Sequence, residues 1–244
     1  MTAYTSILEQ LDSYGDNGKR IKETGESHLD SLVPNWCKTS VSMGTTLMAL
    51  EYDGGIIIGA DTRTSMGTFV MNRVSDKLTK LTDRIYCCRS GSSADTQAVA
   101  AIIKYRMAFH EMETGEPPLV KVAANSFRDI CYEYRDQLTA GIICAGWDKR
   151  EGGQIYMLPL GGMLLRSPVA LAGSGSTYIV GFVDSNYKKG MKKEEARELV
   201  LKSISLAISR DGASGGCVRL ADINEKGVDR EDITYHNLPR FFEP

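Results

Sequence analysis

Apolar residues recur in short regular runs from Thr45 onward, whereas residues 1 to about 40 show no sustained period. The run TTLMALEY, the turn DGG and the run IIIGAD predict a β-hairpin over residues 45–61, because an Asp-Gly pair supplies the positive φ that a tight hairpin turn needs. RIYCCRSG at 84–91 predicts another strand, which ends in glycine. The pattern therefore indicates a domain that begins at Thr45, preceded by an extension.

Apolar residues at three- and four-residue steps predict two consecutive helices. The first runs from Ala94 to the Pro117-Pro118 pair, and the second carries apolar residues on one face from Leu119 to Leu138. Three strands, two helices and two strands are expected to follow: AGIICAGWD (140–148), QIYMLPL (154–160) after a turn at Gly152-Gly153, PVALAG (168–173), helices at about 175–186 and 192–210, CVRLADI (217–223) and DITYHNL (232–238).

This order groups the helices in pairs between strands that are linked directly. Parallel strands would need a crossover, usually a helix, between successive strands, so the order favours antiparallel sheets and an α+β fold. Two such sheets can stack, with a helical pair on each outer face.

Composition excludes several classes of function. The 244 residues include 42% hydrophobic and 25% charged residues, which is ordinary for a globular protein, and the formal charge of −2 gives no footprint for nucleic acid or an anionic membrane. The apolar runs are too short to span a bilayer, and no secretory signal is evident, so we expect a cytoplasmic or nuclear protein. None of the six cysteines forms a C-x-x-C pair, and His28, His110 and His236 are scattered, so no metal or other cofactor is predicted.

Two small motifs offer alternative chemistry. Gly212–Gly216, GASGG, fits the serine nucleophile elbow, but that elbow needs a strand before the serine and a helix after it, and the predicted order is the reverse. His236 with Asp222 or Asp232 could complete such a triad only in that context. GSGS at 173–176 lacks the remaining features of a phosphate-binding loop, so a tight turn between strand and helix is the better interpretation.

Gly44-Thr45 offers a different nucleophile. An N-terminal threonine attacks a carbonyl with its hydroxyl while its own α-amine takes the proton, and that amine titrates at about 7.7–8.0. Thr45 must therefore be freed by cleavage after Gly44, which its hydroxyl can perform by attacking the Gly44 carbonyl. Glycine leaves that approach unhindered because it has no Cβ. A plain strand start is the alternative interpretation of this triplet.

Asp61 and Lys77 can support this chemistry. A lysine beside the nucleophile keeps its surroundings electropositive, and a carboxylate holds that lysine charged and oriented. The alternative is an ordinary surface salt bridge.

The chain resembles the catalytic beta subunits of the eukaryotic 20S proteasome, which belong to the N-terminal nucleophile hydrolases. The resemblance rests on GTT, GADTRT, NRVSDKL, CCRSGSSADTQ, AGWD, GSGS and RDGASGG, which occur in this order over residues 44–221. It implies a four-layer αββα sandwich of two antiparallel sheets flanked by helical pairs. It also implies a propeptide at 1–44, removed on maturation by autocatalytic cleavage between Gly44 and Thr45, and an N-terminal nucleophile hydrolase domain at 45–244.

The resemblance assigns roles to individual residues. Thr45 is implied to be nucleophile and base, Asp61 and Lys77 the charge pair beside it, and Gly91 the backbone oxyanion donor. Ser174, Asp211 and Ser214 are implied to orient the amine and the attacking water. Expected partners are the alpha and beta subunits of a stacked-ring hetero-oligomer and unfolded polypeptide substrates, without nucleic acid or membrane.

Arg89 suggests the substrate preference. Residues two apart on a strand share a face, so Arg89 should point into the cleft that Gly91 borders, where a guanidinium can pair with a substrate carboxylate. CCRSGSSADTQ is similar to the post-acidic, caspase-like subunit, which implies a threonine endopeptidase that cleaves after acidic residues. Thr64, Ser65, Ser75, Thr79 and Ser93 occupy positions that line the substrate cleft in this family. A non-catalytic ring subunit and a solvent-facing Arg89 are the competing hypotheses.

Overall fold

The computed structural model describes residues 44–241, and this range contains twelve strands and four α-helices. The strands are β1 (Leu47–Tyr52), β2 (Gly55–Asp61), β3 (Thr64–Met66), β4 (Phe69–Asn72), β5 (Leu78–Lys80), β6 (Ile85–Gly91), β7 (Ala140–Asp148), β8 (Gly152–Leu158), β9 (Leu165–Arg166), β10 (Val169–Ala172), β11 (Val218–Asn224) and β12 (Gly227–Ile233). The helices are α1 (Ser93–Thr114), α2 (Val120–Glu133), α3 (Val180–Asn186) and α4 (Lys193–Arg210). The predicted propeptide, apart from Gly44, lies outside the described residues.

The strands form two five-stranded antiparallel sheets and one small hairpin. The first sheet has the order β10-β1-β2-β11-β12 and the second the order β5-β6-β7-β8-β9, while β3 pairs only with β4. The predicted hairpin of β1 and β2 is present: Tyr52 pairs with Gly55, and Gly54 in the turn has a φ of 105°.

Three apolar layers hold the sandwich together. Leu47 and Ile58 of the first sheet meet Cys88 and Ile143 of the second in the central layer. A second layer lies between the outer face of the first sheet and helices α3 and α4, and a third between the second sheet and helices α1 and α2. Strands β1 and β2 are apolar on both faces because each sheet is covered on both sides. The predicted four-layer αββα architecture is confirmed.

Several boundaries differ from the prediction. Gly152 and Gly153 begin β8 and pair with Asp148 and Trp147, so the turn lies before them, at residues 149–151. The helix expected at 175–186 is a 3₁₀ turn over Ser174–Tyr178 followed by α3, because GSGS favours a tight turn over an α-helix.

Two further predictions concern the ends of elements. Helix α2 ends at Glu133, so Leu138 packs against the same core from the segment after it. The last strand ends at Ile233, and Tyr235–Asn237 form a 3₁₀ turn, so only the beginning of DITYHNL is strand. The short strands β3, β4, β5 and β9 were not predicted, because two to four residues carry no measurable period.

One edge of the first sheet brings distant segments together. Strand β1 begins there, next to the end of β2 and the end of β10, as the pairs Leu47–Ala60 and Leu47–Ala172 show. Strand β11 also begins at this edge, where Val218 pairs with Asp61. Residues that precede β1 or β11, or follow β2 or β10, are therefore neighbours in space.

Candidate active site

Thr45 lies at this edge, immediately before β1, and its side chain contacts Lys77, the residue that precedes β5 of the second sheet. The Lys77 Nζ donates to Thr45 Oγ1 at 3.0 Å and to Asp61 Oδ1 at 2.7 Å. All three residues are buried. Burial lowers the pKa of Lys77 below its ordinary 10.5, although Asp61 acts in the opposite direction. The arrangement gives a buried hydroxyl a cationic neighbour that exchanges protons more readily than a free lysine.

The Asp61 carboxylate is held by four hydrogen bonds. Oδ1 accepts from the Thr46 backbone N–H at 2.9 Å as well as from Lys77, and Oδ2 accepts from the backbone N–H groups of Arg63 at 3.2 Å and Gly215 at 3.0 Å. Asp61 is fully buried, so each of these donors offsets part of the cost of removing its charge from water. The carboxylate therefore fixes the position of Lys77.

The peptide bond between Gly44 and Thr45 lies within reach of the hydroxyl. Thr45 Oγ1 donates to the Gly44 carbonyl oxygen at 2.7 Å, and the Gly44 N–H donates to Ser65 Oγ at 3.3 Å. A Cβ added to Gly44 would lie 1.9 Å from the Ala213 Cβ. Only glycine therefore fits at position 44 without movement of the loop between α4 and β11, which contains Ala213. The Thr45 hydroxyl, the Lys77 amine and the Gly44 carbonyl group thus lie within hydrogen-bond distance of one another in sequence, lysine to hydroxyl to carbonyl.

A chain of hydroxyl groups reaches the Thr45 nitrogen from the other side. The Thr45 N–H donates to Ser174 Oγ at 3.2 Å, and the hydroxyls of Ser174 and Ser214 donate to Asp211 Oδ2 at 2.7 and 2.6 Å. Burial alone would raise the pKa of Asp211, but these two hydroxyls, the Ala213 N–H and the charge of Lys77 outweigh it and hold that pKa below 3.8. Asp211 is therefore a carboxylate at neutral pH and can only accept hydrogen bonds.

A cavity of about 200 Å³ opens beside Thr45 and contains Arg89. The guanidinium is tied to neutral oxygens: Nε donates to Thr79 Oγ1 at 2.8 Å, Nη2 to the Asp76 carbonyl oxygen at 3.1 Å and Nη1 to Thr96 Oγ1 at 3.5 Å. Within residues 44–241, Arg89 forms no ion pair with a carboxylate, so its charge is available to a ligand. Gly91, with a φ of 97°, lines the same cavity.

The structure brings the site residues that the sequence indicated around Thr45. Thr64, Ser75 and Ser93 line the cavity. Ser65 and Thr79 do not line the cavity. Ser65 accepts a hydrogen bond from the Gly44 N–H, and Thr79 accepts one from the Arg89 guanidinium.

Sequence reasoning missed five residues of this region, which are Thr46, Asn72, Asp76, Thr96 and Gln97. Thr96 and Gln97 lie near the start of α1 within the motif CCRSGSSADTQ, so their distance of a few residues from Gly91 was an available signal. Asn72 and Asp76 lie within the motif NRVSDKL, so their distance of a few residues from Lys77 was also an available signal.

The alternative motifs do not form sites of their own. Helix α4 precedes Ser214 and strand β11 follows it, which is the reverse of a nucleophile elbow, and His236 is exposed in the 3₁₀ turn near the end of the chain. GSGS forms the turn after β10 that carries Ser174.

Cysteines and metal-binding side chains form no second site within residues 44–241. The five described cysteines are free, and burial raises the pKa of Cys87 to about 12. Residues 44–241 contain no cluster of histidine, cysteine and acidic side chains suited to a metal ion. No helix in this range is long and apolar enough to cross a membrane.

Comparison with known proteins identifies the class. The model of the family described as "Proteasome subunit" matches residues 41–223. The chain is 50% identical to proteasome subunit beta type-6 of Dictyostelium discoideum over 86% of its own length and 98% of that protein. It is 53% identical to proteasome subunit beta type-9 of Homo sapiens, over 83% and 92% of the two chains, and 47% identical to the beta type-9 subunit of Oncorhynchus mykiss, over 88% and 98%.

The chain therefore belongs to the proteasome subunit family. Within that family it is a beta-type subunit of the 20S core particle, which assembles with other proteasome subunits.

Proposed function

We propose that this chain is a catalytic beta subunit, a threonine endopeptidase that is made as a precursor and activated by autocatalytic cleavage between Gly44 and Thr45. The observation that carries the proposal is the contact of the buried Thr45 hydroxyl with Lys77 on one side and with the Gly44 carbonyl oxygen on the other. Residues 1–44 are the propeptide in this proposal, and residues 45–244 are the mature chain.

Processing begins with the hydroxyl of Thr45. Its oxygen attacks the Gly44 carbonyl carbon, the bond from that carbon to the Thr45 nitrogen breaks, and the hydroxyl proton passes to the departing nitrogen. An ester then joins Gly44 to Thr45, and water hydrolyses it to release residues 1–44 with a carboxylate end. Lys77 favours the attack because its positive charge stabilises the developing alkoxide.

The mature enzyme repeats this chemistry on a peptide. The freed α-amine of Thr45 accepts the hydroxyl proton, the oxygen attacks the substrate carbonyl, and the proton is passed to the leaving amine. Water then hydrolyses the acyl-enzyme ester. Ser174 and Asp211 contact the Thr45 nitrogen directly and through one hydroxyl, so they orient the amine for this transfer.

Gly91 supplies the oxyanion donor in this proposal. It ends β6 beside the cavity that Thr45 also lines, so a carbonyl attacked by Thr45 develops its negative charge next to this backbone. Removal of a single oxyanion donor raises the barrier of a serine protease by about 2.7–4 kcal/mol.

Arg89 supports a preference for substrates with an acidic residue before the scissile bond. Its guanidinium borders the cavity beside Thr45 and lacks a carboxylate partner among the described residues, while Thr79 and Thr96 hold it in place. A charge-assisted, bidentate pair with Asp or Glu would complete it. Thr64, Ser75 and Ser93 add small polar side chains to the cavity wall. Ser65 accepts a hydrogen bond from the N–H of Gly44, the residue before the bond that is cleaved in processing.

The proposal includes a place in a ring of alpha and beta subunits, unfolded polypeptides as substrates, and a location in cytoplasm and nucleus. The five described cysteines are free thiols, which suits the reducing conditions of both compartments. Fluorescence imaging of a chain tagged at its C-terminus tests the location, and confinement to the secretory pathway would contradict it.

The test of catalysis uses the assembled particle. The wild-type chain, Thr45→Ala and Thr234→Ala are each assembled with their partner subunits, and the mature N-terminus is read by mass spectrometry. We expect Thr45 as the first residue in the wild type and in Thr234→Ala, whose exposed threonine lies outside the site. Thr45→Ala should keep its propeptide. A wild-type chain that still begins at Met1 in the assembled particle would refute the proposal and favour a non-catalytic subunit.

The test of specificity compares two reporter peptides on the same particles. Peptides with Glu or Leu before the reporter group are hydrolysed by wild-type and Thr45→Ala particles. We expect the Glu peptide to lose most of its hydrolysis in Thr45→Ala and the Leu peptide to lose little. Undiminished Glu hydrolysis in the variant would assign that activity to another subunit.

A further inference from the structure

Thr46, the residue after the nucleophile, has a side chain to which the function proposed above gives no role. It is fully buried, and its Oγ1 lies 2.7 Å from Ser214 Oγ. Its N–H donates to Asp61 Oδ1, and its carbonyl accepts from the Asp61 N–H at 3.2 Å. The Thr46 hydroxyl contacts Ser214, whereas the Thr45 hydroxyl contacts Lys77, and Thr46 does not line the cavity. The Thr46 side chain is therefore connected to the site through Ser214.

The proton count gives the Thr46–Ser214 hydrogen bond a direction. Each hydroxyl carries one proton, and Ser214 gives its proton to the Asp211 carboxylate, which can only accept. Thr46 must therefore donate to Ser214. On the other side, Ser174 also donates to Asp211 Oδ2 and accepts from the Thr45 nitrogen. Two hydroxyl branches thus meet at one carboxylate oxygen, and Thr46 begins one of them.

Packing holds the Thr46 hydroxyl in that direction. A Cβ added to Gly175 would lie 1.9 Å from Thr46 Oγ1 and 3.2 Å from the Ala207 Cβ, so the backbone of the GSGS turn and helix α4 close the space beside the hydroxyl. The Gly175 N–H also donates to the Thr45 carbonyl at 3.2 Å, which ties that turn to the nucleophile. Glycine at 175 is thus explained by the close approach of Thr46.

We propose that Thr46 is a positioning residue for the amine of Thr45, because its donated hydrogen bond fixes Ser214 against Asp211 and so sets the charge that Asp211 presents to Ser174 and the amine. This inference rests on the proposed threonine endopeptidase function. Loss of the Thr46 hydroxyl leaves Ser214 Oγ buried without its donor and weakens the bond from Ser214 to Asp211. The negative charge of Asp211 is then less neutralised by Ser214 and interacts more strongly with the amine. That interaction raises the pKa of the amine.

The test compares Thr46→Val with Thr46→Ser in the assembled particle. Valine has the shape of threonine without the hydroxyl, and serine keeps the hydroxyl without the methyl group. Ser203→Ala is the matched control, because it removes a buried hydroxyl of α4 that bonds only within its own helix. Each chain is also produced from residue 45 behind a separately cleaved fusion, so that a processing defect does not hide the effect on hydrolysis.

We expect Thr46→Val to lower kcat for the Glu peptide on the order of ten-fold with KM changed by less than about two-fold. The acidic limb of its kcat/KM profile should move to higher pH, because that limb reports the free amine. Thr46→Ser and Ser203→Ala should keep the wild-type kcat and profile.

Three results would overturn the inference. They are wild-type kinetics in Thr46→Val, equal losses in the valine and serine variants, and a lowered kcat in Thr46→Val without a shift of the acidic limb. In each case the wild-type chain still begins at Thr45 and hydrolyses the Glu peptide. A wild-type chain without that activity would instead refute the proposed function itself.

Discussion

Replacement of Gly44 by alanine gives the sharpest test of the precursor geometry. The added Cβ would lie 1.9 Å from the Ala213 Cβ and 2.7 Å from the Ala213 Cα and carbonyl carbon. Carbon atoms pack at about 3.5–4.0 Å, so residue 44 or the 211–216 loop must shift by roughly 1.5 Å. Because two of the three close atoms are backbone, no side-chain rotation relieves the contact.

That shift changes the distance and angle between the Thr45 hydroxyl and the Gly44 carbonyl, which is its target in the proposed processing step. Thr45 Oγ1 is 2.7 Å from the Gly44 oxygen, and a misplacement of about 1 Å at a reacting group costs about 100-fold in rate. We therefore expect Gly44→Ala to slow processing by at least about 100-fold. Adding Ala213→Gly removes only the closest contact, so the double variant should recover part of the rate.

Mass spectrometry of the chain over time after assembly measures the processed fraction. Gly212→Ala is the matched control, because a Cβ at this neighbouring position in the same loop meets nothing within 4 Å. We expect this variant to be processed at the wild-type rate. Wild-type processing of Gly44→Ala, or an equal defect in Gly212→Ala, would refute the steric argument.

Three further predictions concern charge. Arg89→Met should lower kcat/KM for the Glu peptide on the order of 100-fold and spare the Leu peptide, and equal losses would contradict the pocket assignment. Lys77→Met should abolish hydrolysis and destabilise the chain by about 3–5 kcal/mol in urea unfolding, because Asp61 stays buried without its partner. Adding Asp61→Asn should recover stability but no activity, and activity in either variant would exclude the proposed role of Lys77. The pKa of Asp211 in the folded chain lies below 3.8. The Asp211 carboxylate therefore contributes its full stabilisation of the folded state above that pH, and this contribution is lost as the pH falls through the folded pKa. Thermal unfolding on both sides of pH 3.8 should show this loss in the wild type and not in Asp211→Asn.

The sequence predicted the elements that have a clear period or a turn signal. The β1–β2 hairpin, helices α1 and α4 and the strand that carries Arg89 were all expected near their observed positions. The short strands were missed because they are too brief for a period, and the ends of β12 and α2 because pairing and packing decide them.

Within the candidate site, the sequence by itself determined which residue types were available. Gly-Thr marked a possible nucleophile, and motif resemblance selected its companions. Thr46 shows what was lost: as the second threonine of the triplet it looked like an ordinary strand residue, and nothing local indicated Ser214 as its partner, 168 residues away.

Only the tertiary structure decided which of these residues meet. Lys77 is 32 residues from Thr45 and Ser174 is 129 residues from it, and both contacts depend on sheet order: β10 and β2 flank β1, and the second sheet stacks on the first. A local pattern records how a segment buries its own apolar face, but strand order follows from packing whole sheets and helices around shared cores. The sequence therefore indicated the candidate nucleophile and, through the resemblance, its companions, while the contacts that join them and the steric reason for Gly44 depended on the fold.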